Sequence, residues 1–328
     1  MAKKIEISHR TIIFTVFFLI SLYLLYQIRH ILVALFVSLI VMSALTPAVD
    51  RLEKLKIPRV LSILVVYFLI LGFLGITVAG IVPPLIDQTT TLIVWFPDYV
   101  DSLGLPTVDH NIIASQIDQL GSIPASLLKI IVTLFSNLLS FFVLAVITFY
   151  LLIERKNLNQ YLSILFGSGG EERAKRFVDE LEGKLGGWVR AQTTLMFIVS
   201  LMAYFGLRLL GIDFALPLAL LAGVLEIVPN IGPVLSAVPA VLAGLVISPL
   251  MGLGVVALYF LIQQIENTLI VPQVMKKKLG LNPLVTILSL AIGFKLAGIA
   301  GAVLAIPVML LVQAVATETF ASKKLNQV

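Results

Sequence analysis

Two glutamates interrupt the most apolar half of a 328-residue chain. Glu226 lies in LEIVPNIGPVLSAVP, positions 225–239, and Glu266 in QQIENTLIVPQV, positions 263–274. An ionised carboxylate at the centre of a bilayer costs on the order of 3 kcal/mol unless it finds a partner, which makes it a functional candidate by default. The first stretch adds Pro229, Pro233 and Pro239 to Asn230 and Gly232. Proline removes a backbone donor and clashes with the preceding turn. Asn230 and Gly232 can take the left-handed conformation that ends a helix, and Pro233 suits the first turn of the next one. One arm therefore ends in free carbonyls and the other begins with free N–H groups. At membrane depth such backbone must face protein or a wet cavity. The stretch predicts a hairpin tip lining a polar site, where Glu226 exchanges a proton or meets a cation. The competing reading leaves Glu226 among lipid headgroups with nothing to bind.

In the second stretch Gln263, Glu266, Asn267 and Ile270 fall at i, i+3, i+4 and i+7, which puts both carboxamides and the carboxylate on one helical face. Pro272 frees a carbonyl near Thr268. A polar stripe can simply glue helices together, but a glutamate is a costly glue, and a site role is expected here too. Lys295 is the only basic residue deep in the last apolar block. It is a candidate counter-ion for either glutamate, or it snorkels to the outer surface.

The elements that must hold these residues are membrane helices. Apolar residues make up 59% of the chain and charged residues 12%, against about 25% charged in a soluble domain. Runs long enough to cross or nearly cross are 12–28, 31–46, 60–82, 130–153, 194–210 and 252–271. Two further blocks, 214–247 and 283–316, are interrupted near their middles. The first run is followed by more spans and by no small-residue cleavage site, so it reads as a span and not a leader. Cysteine is absent and the three histidines are scattered, so neither a thiolate metal site nor a histidine centre is expected. The net charge of +5 reads as basic membrane flanks and not as a nucleic-acid surface. GlySerGlyGly at 167–170 lacks the lysine and the preceding strand of a phosphate loop, and HExxH and GxSxG do not occur, so no enzyme is indicated.

Basic residues cluster before the first span, between the second and third, after the fourth, at Lys276–Lys278 and at the end of the chain. The segment 83–129 carries five aspartates against one lysine. The charge bias puts both termini in the cytoplasm and 83–129 outside. That outer segment should hold a helix opening at Pro83, with Leu92, Trp95, Phe96 and Tyr99 on its apolar face, a turn at 104–111, and a second helix over 112–120. Its aromatic face is a candidate contact for another copy of the chain. On the cytoplasmic side 171–185 should form an amphipathic, solvated interfacial helix. The chain then divides into N-terminal spans (1–82), the outer segment (83–129), the fourth span with the cytoplasmic helix (130–190) and a transport core (191–328).

The core repeats. IGPVLSAVPAVL from Ile231 and IAGAVLAIPVML from Ile299 superpose Pro239 on Pro307. The arms around each break are shorter than the roughly 20 residues of a full crossing. Threading from a cytoplasmic N-terminus makes the first hairpin enter from outside and the second from inside, an inverted arrangement suited to alternating access. The expected fold is all-α: a polytopic bundle with two inverted re-entrant hairpins, whose breaks meet near mid-membrane, and amphipathic interfacial helices. Two tilted full crossings per block are the alternative.

Glu226, the Pro229-Asn230-Ile231-Gly232-Pro233 run, Pro239, Glu266-Asn267, Pro272, Leu281-Asn282-Pro283-Leu284 and the Gly293, Gly298, Gly301 and Pro307 series resemble the autoinducer-2 exporter family of bacterial and archaeal membrane proteins, also described as PerM-like permeases. The resemblance is strongest over the last 140 residues or so. It implies a prokaryotic cytoplasmic-membrane transporter, exporting autoinducer-2 or another small polar solute, or exchanging sodium or lithium for protons. It also implies homo-oligomers, with no cofactor beyond a coupling ion such as H+ or Na+. A non-transporting scaffold is the third reading.

Overall fold

The computed structural model describes residues 9–102, 138–229, 231–275 and 283–325. The turn at 104–111, the helix at 112–120, Asn230, the lysine triplet at 276–278, and the side chains of Trp95 and Phe96 lie outside what it describes. Every regular element among the described residues is helical. In chain order these are α1 (His9–Gln27), α2 (Arg29–Lys54), α3 (Arg59–Ser102), α4 (Leu138–Glu154), a 3₁₀ turn (Arg155–Asn157), α5 (Leu158–Leu209), α6 (Ala215–Leu225), α7 (Ile231–Ile247), α8 (Pro249–Ile265), a π turn (Glu266–Ile270), α9 (Val271–Met275) and α10 (Pro283–Leu325). Six of the described helices are long and apolar enough to cross a membrane. The protein is a multi-pass membrane protein.

Two helices run further than the sequence signals. No helix opens at Pro83, because α3 continues through both prolines to Ser102. Ala79 and Gly80 sit one turn before the two rings, and such small residues leave the helix room to bend around them. The amphipathic segment 171–185 and the span 194–210 form one rod, since α5 breaks only at Gly167 (φ 65°, ψ 177°). Nor is the apolar stripe of 171–185 solvated. Leu181 and Leu185 are buried together with Leu290, Ile306 and Leu310 of α10, so the stripe is covered by protein.

Three apolar cores organise the bundle. Met42, Val49, Ile63, Val66 and Leu152 join α2, α3 and α4. Val199, Ala203 and Leu207 of α5 pack with Leu218, Ala222, Ala240, Val255 and Tyr259 of α6, α7 and α8. The third core seats α10 on α5 and on Ile40 of α2. A charged junction ties the first core to α5. Arg59 Nε donates to the Leu152 carbonyl at 2.8 Å, and its Nη1 reaches Asp50 and Glu53 at 3.0 and 2.9 Å. Arg155 donates to Asp179 and Glu182 at 2.6 and 2.7 Å, and Lys156 pairs with Glu53.

Both interrupted blocks double back. α6 holds only 11 residues before the turn into α7, a length of about 17 Å at 1.5 Å per residue. In α10 the backbone leaves the helical region at Ala297 and Gly298, and Gly298 takes φ 60°, ψ −142°. That conformation has a positive φ and suits glycine. A Cβ on Gly293 would stand 2.3 Å from the Gly301 carbonyl oxygen. In a straight helix these residues would be about 12 Å apart along the axis, so the arms lie backbone to backbone. The two hairpins do not meet at their breaks. The first is enclosed by α3, α5 and α8, whereas the second packs on α5 and α2.

Candidate functional site

α6 ends at Leu225, and Glu226 is its C-cap residue. Glu226 is fully buried. Its N–H still donates to the Ala222 carbonyl at 3.1 Å, while Pro229, four positions on from Leu225, cannot continue the ladder. The chain then turns so tightly that Ile231 N–H bonds the Pro229 carbonyl and Gly232 N–H bonds that of Val228, at 2.8 and 2.9 Å. Gly232 does not take the left-handed conformation expected of it. It sits in the first turn of α7, and a Cβ there would lie 1.9 Å from the Leu225 carbonyl oxygen. Glycine is required for closeness, not for backbone freedom. Pro233, buried beside it, occupies the first turn of α7 as expected, and Pro229 is half-buried in the turn.

Glu266 comes from the opposite side of the site. Pro272 has no N–H for the Thr268 carbonyl, and the chain relaxes into a π turn in which Val271 N–H donates to the Glu266 carbonyl, five residues back. Turns of this kind recur at functional sites. The extra residue shifts the face. Glu266 is buried, Gln263 is half-buried and donates to Glu266 Oε2 at 3.3 Å, and Asn267 points outward, exposed. The single face that was to carry all three polar side chains therefore holds two.

The two buried carboxyl groups lie close enough to act on each other. Among the described residues neither Glu226 oxygen finds a donor. Two carboxylates are acceptors only, and they bond to each other when one carries a proton. Lys295 is no counter-ion to this pair. It is exposed in the second hairpin and makes no ion pair with either glutamate. The reason is packing: the second hairpin is seated on α5 and α2, away from the first. Gly298 belongs to that second break for the same reason.

One member of the site went unseen in the sequence. Gln192 on α5 is 3% exposed, and its Nε2 donates to the Glu226 carbonyl at 2.6 Å. The reading of a span from Thr194 left Gln192 in its flank. Extending the period back through Trp188 and Leu185 would have put it inside the helix. A cleft of about 680 Å³ opens elsewhere, at the charged junction, lined by Asp50, Glu53, Arg59, Arg155 and Lys156 among others. Its lining carries five basic and three acidic side chains, and no residue of the carboxyl pair is among them. Among the described residues no group of three or more metal-ligating side chains occurs.

The model of the AI-2E transporter family matches residues 12–321. YrrI of Bacillus subtilis (strain 168), named for an inferred transport role, is 29% identical over 296 residues, covering 85% of this chain and 84% of its own. YueF of the same organism, named likewise, is 30% identical over 291 residues, covering 82% and 78%. The AI-2 transport protein TqsA of Escherichia coli (strain K12) is 28% identical over 305 residues, covering 88% and 86%. A helical membrane bundle with broken helices around buried carboxyls, matched over nearly its whole length by one transporter family, is a member of it: the chain belongs to the AI-2E transporter family.

Proposed function

We propose that the protein is a secondary transporter that exports a small polar solute across the cytoplasmic membrane of a prokaryote, with the Glu226–Glu266 pair carrying the coupling proton. The observation behind this is the pair itself: two buried carboxyls, held at breaks in two separate helices, with no cationic partner. Two like charges so close in low dielectric cannot both stay ionised, and a pair sharing one proton passes it on when either side opens. α6, too short to cross the bilayer, supports a hairpin that enters and leaves on one side. An autoinducer-2-like molecule leads as substrate, by similarity to TqsA. A second reading, exchange of sodium or lithium for protons, is favoured by two carboxyls placed at broken helix ends, the groups that bind such ions in transporters.

The test is flux in proteoliposomes under an imposed pH gradient, with autoinducer-2, Na+ and Li+ offered in turn. Wild type should move one of them with proton movement, and Glu226→Gln should not. A folded wild-type protein that moves no solute and no protons under any gradient overturns the proposal. Orientation, read from charge, is checked in the same vesicles. A single cysteine at Asp109 should react with an impermeant reagent from outside and one at Lys56 should not, and the reverse pattern would invert the scheme.

A further inference from the structure

An acceptor left unsatisfied among the described residues is as informative as the bond beside it. Gln192 Oε1 is buried and has no donor among them. Its orientation is not arbitrary, because the partner of the amide is a carbonyl, which accepts only from the NH2 end. A turned amide would set two oxygens against each other at 2.6 Å. Gln192 thus fixes its own Oε1 near the end of α6, and Glu226, whose backbone carbonyl it holds, has two buried carboxyl oxygens that also lack donors among the described residues. A buried acceptor without a partner is costly, and natural proteins rarely leave one without a use for it. α7 has no titratable residue, and α3 meets α6 at Gly80 against Leu220. On α8 the buried Tyr259 makes no hydrogen bond through its hydroxyl, and Arg190 on α5 is exposed. Among the described residues, Glu266 is the one charged group acting on Glu226.

We propose that Gln192 is a ligand-contacting residue of the carboxyl site: its Nε2 pins the carbonyl at the broken end of α6, and its Oε1 accepts from the electron-poor species, a proton carrier or an alkali cation, that Glu226 and Glu266 hold. This rests on the reading of the pair as the coupling site. Gln192 then adds one ligand to the site whichever ion is carried, because a fixed neutral oxygen serves a bare cation as well as a donor hydrogen.

The experiment measures flux against pH, Na+ and Li+ for Gln192→Leu, Gln192→Glu and Glu226→Gln in matched proteoliposomes, with thermal melting of each protein. Gln192→Leu should raise the KM for the coupling ion about tenfold or more, the size of a lost bond to a charged group. Gln192→Glu keeps the bond to the Glu226 carbonyl only when protonated, so it should retain flux on the acid side and move the pH midpoint by about one unit or more. A KM change in Na+ or Li+ identifies the cation as the occupant, and a pH-midpoint change alone identifies the proton. If Gln192→Leu does not fold, Gln192→Glu decides by its pH midpoint. Wild-type KM and midpoint in the folded variants, alongside loss of coupling in Glu226→Gln, overturn the role of Gln192 and leave the pair intact. Unchanged coupling in Glu226→Gln removes the pair as well.

Discussion

A valine at position 232 is expected to abolish the accumulation of folded protein. The Cβ of any residue but glycine would sit 1.9 Å from the Leu225 carbonyl oxygen and 2.4 Å from its carbon. Both are backbone atoms at the end of α6, so no side-chain rotation relieves the clash. Relief requires moving the end of α6, and with it the Glu226 carbonyl that Gln192 holds. Ordinary overpacking in a core costs about 1–3 kcal/mol, and a backbone clash should exceed that. Alanine should already lower the yield and the melting temperature, and valine should leave little protein to measure. Gly183 is the control. A Cβ there meets nothing within 4 Å, and alanine in a helix interior is favoured over glycine by about 0.5–1 kcal/mol. Membrane yield, size-exclusion profile and melting of the three variants read the difference. A Gly232→Val protein with wild-type yield and melting would show that the hairpin does not close in this way.

The second large effect concerns the carboxyls as a unit. Glu226→Gln and Glu266→Gln should each reduce coupled flux by about two orders of magnitude or more, the scale of losing a group that carries a proton through the reaction. The double variant should be no worse than either single one, because groups that share one proton do not contribute independently. Folding should survive. A glutamine at either position donates to the remaining carboxylate, so the bond made by the shared proton is kept. Aspartate at either position should retain part of the flux with an altered pH dependence. Flux against pH for the four proteins, with melting beside it, tests this. Multiplicative losses in the double variant would mean two separate sites, and lost yield without a selective transport defect would make the carboxyls structural.

Much of the site was legible because the residues that carry it are anomalous in an apolar chain. Glu226 and Glu266 stand out by charge, and Pro229 and Pro233 mark the break by their missing donors. The prolines, the glycines and the repeat across Pro239 and Pro307 located both hairpins. What escaped depends on three dimensions. The requirement for Gly232 is a distance to Leu225, which no local propensity encodes. Gln192 is a single polar residue in a helix that already runs unbroken from beyond Gly167, whereas the span was read only from Thr194. Asn267 was put on the wrong face because a 3.6-residue period was carried through a segment that does not keep it. The pairing of Lys295 failed at the level of packing, since sequence spacing says nothing about which helix a hairpin leans on. At Pro83, a strong local breaker was overruled by the small residues one turn before it.

The π turn at Glu266–Ile270 has a further consequence. One added residue turns everything after it by about 100° relative to a continuous α-helix. α8 lies against α7 and α5, and α9, beyond the turn, still lies against α5. A single membrane crossing is thereby written in two reading frames, both kept in contact with the same neighbour, and the carboxyl sits at the join. Such a helix has no spare length. Deleting one residue between Glu266 and Ile270 would restore a single frame, and one of the two halves would then present its packing face to lipid.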